Sequence, residues 1–378
     1  MILYPTVKMA PFVSGTSTTG GVGGFGNALG ADNAYLQPGD TFRFTNGSGT
    51  GRDGPSLATL RTAYDAMNSS VPSADRWWNN SSNFNTEGAS GIQRWTVPVT
   101  GNYDIEFVSP RTALDTSIFA TRRIGVLGKV RMTLQQGSYL YMVCGHQGNV
   151  GTYNGGGCGG TFVWQYYNNA WEIIGIAGGT GGLGPNNNSS TKNTVGSNGS
   201  TSSTANPGRT SSGGTGTSGG SGGNRGQSVA EHNPSMQYRP GPGAGWLTQT
   251  VTTNSNECGY NVESGLGFKV SGTSINALAF RGGEGNHSGS SNIDGGFGGG
   301  GGGHGACNSM GSGGGGGYSG GGVGDDCCDS SGGGGGSIIN TSANGYVSTI
   351  TSLQNYDFAP TGSGASLYCS YVEVERVT

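Results

Sequence analysis

The 378-residue chain is predicted to be all-β, a sandwich or jelly roll carrying one short helix, on three observations. Short period-two segments recur along both ends of the chain, a single stretch has helical spacing, and 81 glycines gather in runs rather than scattering as turns. Many short strands divided by turn residues are the pattern of a sandwich or jelly roll.

The elements follow in order. Thr41-Phe42-Arg43-Phe44 alternates directly after Pro38-Gly39. Pro55 then opens a helix in which Leu57, Leu60, Tyr64 and Met67 lie on one face, expected to pack on the sandwich. Ile92–Val97 alternates, stops at Pro98, turns through Thr100-Gly101-Asn102 and resumes as Tyr103–Phe107, which predicts a hairpin. Further strands are expected at Ile124–Leu134, Tyr139–Cys144, Thr161–Tyr167, Trp171–Ile176, Gly267–Val270, Ala277–Phe280, Tyr346–Ile350 and Leu367–Val377.

Glycine runs occupy 155–160, 178–184, 295–305, 311–324 and 332–336. Glycine runs are commonly linkers, because glycine loses the most backbone freedom on ordering. They can also form a solid. A polyproline II strand has three residues per turn and no internal hydrogen bonds, so its amides must pair with neighbours once water is excluded. Ordering a residue costs roughly 1–2 kcal/mol while a hydrogen bond returns about 0.5–1.5 kcal/mol net. A lone pair of such strands therefore fails, whereas a lattice clamped by a sandwich holds. Side chains are expected at its rim or against the sandwich, which nominates Trp246, Phe297, His304 and Tyr318.

Six regions result. Residues 1–40 are an attachment or subunit-contact segment, 41–177 the first sandwich strands with the helix, and 178–265 a Gly/Ser/Thr/Asn-rich insertion. Residues 266–294 are expected to add further strands, 295–336 to form the polyglycine lattice, and 337–378 to supply the last strands.

Several stretches resemble the glycine-rich extracellular region of the anaplastic lymphoma kinase and leukocyte tyrosine kinase receptors. They are Gly51-Arg52-Asp53-Gly54-Pro55-Ser56, Gly91-Ile92-Gln93-Arg94-Trp95-Thr96-Val97-Pro98, Leu140–Gly148, Gly155–Val163, Ile173–Gly179, and Gly295–Phe297 with its glycines through Gly321. The likeness spans roughly residues 42–340. It implies a TNF-like jelly roll with an inserted bundle of polyglycine II helices, an architecture found also in viral and microbial surface proteins. The chain shows no kinase domain, transmembrane helix or EGF-like cysteine module, and no positions match the receptors' cytokine-binding surface. Neither ligand nor signalling is carried over.

Chemistry is sparse. Only 10% of residues are charged and the net charge is −3, which gives no electrostatic case for nucleic acid or an anionic membrane. No stretch approaches the roughly 18–20 apolar residues of a membrane span, and the first residues lack the pattern of a secretory signal. The four histidines and seven cysteines show neither HExxH nor CxxC spacing. Asp325-Asp326-Cys327-Cys328-Asp329 offers carboxylates for Ca²⁺ but lacks the alternation of a known loop, and is read as a solvated turn. No cofactor, metal site or catalytic constellation is expected.

Recognition residues are expected at Trp77-Trp78 with Asn80, where aromatic faces beside amides suit a receptor or glycan, unless the rings plug the sandwich end. Glycosylation sequons stand at Asn46, Asn68, Asn80, Asn188, Asn198, Asn286 and Asn340 among others. The composition fits a non-enzymatic virion surface protein, a phage tail-fibre or tail-associated adhesin presenting loops to a host glycan or protein. Its expected partners are other virion proteins and further copies of itself, as a trimer or polymer. The alternative is a self-assembling extracellular filament or matrix protein whose sequons carry glycans.

Overall fold

The computed structural model describes residues 36–88, 90–112, 124–150, 155–183, 198–210, 214–228, 240–247, 252–255, 260–263, 265–268, 270–271, 274–287, 293–306, 309–324, 330–357 and 370–378. Most of the 1–40 segment, the Asp325–Asp329 cluster and Asn188 lie outside them.

The alternating segments pair into two antiparallel sheets that enclose one apolar core, so the fold is an all-β sandwich. The first eight strands are β1 (Thr41–Thr45), β2 (Phe84–Thr86), β3 (Gln93–Thr96), β4 (Gly101–Val108), β5 (Gly125–Leu134), β6 (Tyr139–Val143), β7 (Thr161–Tyr167) and β8 (Ala170–Ala177). Small ladders follow, β9 (Thr252–Ser255) with β10 (Tyr260–Glu263), β11 (Val270–Ser271) with β12 (Ser274–Ile275), and β13 (Asn286–His287), β14 (His304–Ala306) and β15 (Ser309–Gly311) together. The chain returns to the sandwich as β16 (Ile338–Ile339), β17 (Tyr346–Tyr356) and β18 (Tyr371–Arg376). The five-stranded sheet runs β1-β18-β4-β5-β17, and the six-stranded sheet β16-β8-β7-β6-β3-β2.

Two sequence expectations fail here. The segments around Trp95 and Tyr103 do not form a hairpin. β3 pairs with β2 and β6 in one sheet, while β4 pairs with β18 and β5 in the other. Alternation settles which side chains face the core but not which strand lies alongside, and the Val97–Thr100 link crosses between sheets. Among the described residues, 266–294 add no strand to either sheet. Val270–Ser271 pairs with Ser274–Ile275 alone, and Ala277–Phe280 is a run of turns. Their apolar residues Phe268, Ile275, Ala279 and Phe280 instead bury against the outer face of the six-stranded sheet.

The helix α1 (Leu57–Met67) starts two residues after Pro55. Ser56 is the N-cap, its hydroxyl accepting from Thr59 N at 3.1 Å, and Leu60 and Tyr64 form the buried stripe. The Tyr64 hydroxyl donates to Gln93 Oε1, and Gln93 Nε2 donates to Thr45 O at 2.8 Å, so a satisfied polar chain ties helix to both sheets.

The six-stranded sheet is buried on both faces. Leu140, Met142 and Val163 face the sandwich core, while their neighbours Tyr141, Val143, Phe162 and Trp164 enter a second apolar cluster outside it. What covers that outer face is glycine.

Six consecutive amides, Gly313 to Tyr318, donate in turn to the carbonyls of Gly155, Gly241, Gly333, Cys158, Ala244 and Gly336, at 2.8–3.2 Å. Every third amide returns to the same neighbour, three residues further along. That is the period of polyproline II backbone. The carbonyls of Gly313 and Gly316 accept from Gly182 and Gly179, that of Gly314 from Gly301, and that of Gly315 from Gly321. This strand thus has six backbone neighbours, the packing of a hexagonal lattice. A methyl group added at Gly313 would overlap the Gly301 carbonyl, and one at Gly157 the Gly314 carbonyl.

The lattice is wider than the run 295–336. Asn206 donates to Gly334, Gly220 to Gly320, Gly241 to Gly302 and Gly243 to Gly321, so the insertion at 178–265 is woven into it. β6, β7, β8 and β16 are also continuous in sequence with lattice strands, at Gly145, Gly160, Gly178 and Gly336. The sheet therefore grips one end of the lattice covalently.

Candidate functional site

The seam between sheet and lattice is aromatic. Trp246 stacks on Phe268 with centroids 4.2 Å apart and planes 7° apart, Phe280 sits 4.5 Å from Phe162, and Trp164 meets Phe268 edge-on at 5.6 Å. Two of the expected rim residues, Trp246 and Phe297, are interior to this seam, at 7% and 1% exposure. His304 is also interior. It is fully buried, and its backbone ladders between Asn286 and Gly311. Tyr318 is half-buried at the edge of the seam, its amide donating to Gly336 O at 2.8 Å.

Trp77 and Trp78 do not form an exposed platform. Both are buried, in a short 3-10 turn (Trp77–Asn79) against β1, with Phe42 centroids 4.5 and 5.5 Å away. Trp78 Nε1 donates to Asp65 Oδ1 at 2.8 Å and Arg61 Nε to Trp78 O at 3.0 Å. The rings plug the end of the sandwich because the open core beside α1 rewards burial of so much apolar surface. Asn80 is exposed, and its Oδ1 accepts from Ser82 N.

Most described sequons are spoken for. Asn46 is buried with Nδ2 directed at Gly145 O. Asn68 Nδ2 caps α1 on Tyr64 O, Asn198 Oδ1 accepts from Ile124 N, and Asn340 Nδ2 donates to Ile173 O. These amides have structural partners in the folded chain, with only Asn46 of them fully buried. The side chain of Asn286 lies outside the described residues.

A cleft of about 410 Å³ opens beside the seam, lined by Asp53, Gly54, Ser90, Ala277, Leu278, Ala279, Arg281 and Phe297. Four distant segments meet there. The Ala277–Phe280 turn is held over it by Phe280, whose φ of 64° is rare for a bulky residue and is enforced by packing on Phe162 and Trp164. Arg281 Nε donates to Asp53 Oδ1 at 2.7 Å across the mouth. Beneath it Arg52, 11% exposed, is clamped by Glu263 and Glu284, each at 2.5 Å. Gly282 N donates to Arg52 O, completing the tie between the loop before α1 and the lattice.

His146 lies behind the cleft, ring to ring with Phe297 at 5.6 Å, its Nδ1 3.2 Å from Gly51 O. Burial pushes its pKa down to about 4, so the ring is neutral and Nδ1–H is the donor. Burial likewise raises the Cys144 thiol to about 12, which leaves it inert. Cys144 and Cys158 are both free and buried.

Sequence reasoning missed Asp53 and Arg281 as a pair. Their one signal is rarity, since charges within glycine-rich sequence are few and each marks a specific contact. Among the described residues no group of three or more His, Cys, Asp or Glu could hold a metal ion, and no helix is long and apolar enough to cross a membrane. No protein-family model matches this chain, and no curated protein matches it.

Proposed function

We propose that this chain is a non-enzymatic display protein of a virion surface, a phage tail-fibre or tail-associated adhesin. In this reading the sandwich is a TNF-like jelly roll that mediates assembly with further copies and other virion proteins. The lattice is a stiff spacer whose far end faces the host. The observation that carries it is the sixfold pairing around Gly313–Tyr318, a block whose stiffness comes from backbone bonds in three dimensions.

The reading is tested with fluorescent full-length chain on a panel of bacterial envelopes, and with gold-labelled antibody on virions. Saturable envelope binding together with label on tails supports it. Label on cell-derived filaments, with glycans found at the asparagines by mass spectrometry, would replace it with the matrix alternative.

A further inference from the structure

We propose that the cleft between Asp53, Ser90, Leu278 and Arg281 binds a neutral pyranose sugar; this deepens the display role above by naming its ligand class. The volume of about 410 Å³ falls in the range of small-ligand sites, roughly 300–1,000 Å³. Its lining is of two kinds. Ala277, Leu278, Ala279 and Phe297 are apolar, the first two exposed and the last two buried. Asp53, Ser90 and Arg281 are polar, and the charged pair of Asp53 and Arg281 is exposed to solvent. A pyranose has the same dual character, a face of C–H groups and an edge of hydroxyls.

Geometry leaves hydrogen-bonding capacity unspent. Among the described residues the pair is made through Arg281 Nε and Asp53 Oδ1, which leaves the Nη donors and Asp53 Oδ2 to bind adjacent hydroxyls, one donating and one accepting. Asp53 is 69% exposed and Arg281 36%, so a ligand reaches both without unfolding anything.

Charge selects the class. Asp53, Glu263, Glu284 and Asp294 surround this corner, against Arg52 and Arg281. Four carboxylates and two guanidiniums leave an acidic excess, and both glutamates are already committed to Arg52. A sialic acid or a phosphate would be repelled. The turn that carries Leu278 is fixed by the left-handed Phe280 and by Arg281 N donating to Leu278 O at 3.2 Å, so this apolar part of the lining is preformed.

The experiment is saturation-transfer NMR on the full chain with methyl glycosides of glucose, galactose, mannose and N-acetylglucosamine, and N-acetylneuraminate as the charged control. At least one neutral glycoside should receive transfer, strongest at the protons of one ring face. Asp53→Asn should weaken binding by about tenfold or more, the effect of losing hydrogen bonds to a charged acceptor. Leu278→Asp should abolish it, and both variants should keep the wild-type melting temperature because both side chains are exposed. Absence of binding by every neutral glycoside, binding unchanged in both variants, or preference for the sialate would each overturn the assignment. Envelope binding that survives in both variants would overturn the cleft while leaving the display role standing. Sugar binding without envelope binding by the wild-type chain would do the reverse.

Discussion

The sandwich and the glycine lattice solve the same packing problem with opposite materials. In the sandwich, Phe44, Trp95, Tyr103 and Phe107 fill the space between sheets, and the backbone pairs only with strands to either side. In the lattice nothing fills the space, because strands approach until carbonyl and amide meet in every direction. The first depends on volume and tolerates modest substitution of one apolar side chain for another. The second depends on the absence of volume: at Gly157, Gly301, Gly313 and Gly321 an added methyl would meet a neighbouring carbonyl at about 2 Å, and side chains such as those of Ala244 and Cys158 fit only at particular positions. The comparison teaches that apolar content understates how much of this chain is packed.

Four measurements would break or sharpen it. The largest effect is expected from Gly313→Ala, whose new methyl meets the Gly301 carbonyl inside contact distance. Backbone must shift in several strands together, and a loss of about 4 kcal/mol or more is expected in chemical denaturation. A loss below 1 kcal/mol would show the lattice to be soft. Next, Trp164→Ala hollows the seam and should cost roughly 3–5 kcal/mol, with the sheet retaining its strand signal by circular dichroism.

Acid provides the third. His146 has a depressed pKa in the folded chain, about 4 against 6.5 unfolded. Below pH 6.5 the unfolded chain binds a proton that the folded chain refuses, so stability falls as pH drops and levels off below about 4. The loss amounts to ~3 kcal/mol. Urea titrations at pH 7 and pH 4 should show it, and His146→Phe should remove this part of the difference. Smallest is Arg43→Ala on the outer face of the five-stranded sheet. Arg43 pairs with Glu373 at 2.8 Å and lies 4.0 Å over Tyr371, yet the pair is exposed enough that under 1 kcal/mol is expected. A larger loss would mean that this charged face has a role beyond solubility.

Local pattern made some of this legible and hid the rest for physical reasons. The period of two around Phe42, Tyr103 and Val372 located strands and their inward faces, and the spacing of Leu60 and Tyr64 located the helix. The supposed hairpin at Trp95 and Tyr103 was wrong because sequence adjacency says nothing about a crossing between sheets. Trp77 and Trp78 looked like a binding platform because composition carries no record of an open sandwich end beside a helix. The cleft was invisible, since Asp53 and Arg281 stand 228 positions apart and neither belongs to a motif.

Sequence alone determined the two materials: alternating apolar residues that must bury one face, and side-chain-free runs that cannot pack except on one another. Both follow from local stereochemistry, the pleat in one case and the missing Cβ in the other. Tertiary structure decided the partners. Which strand lies beside which, how the 178–265 segment threads among the later glycines, and where an arginine meets an aspartate depend on contacts between remote residues. Identical glycines carry no address, so their register is set only where the strands of the six-stranded sheet hand over to them.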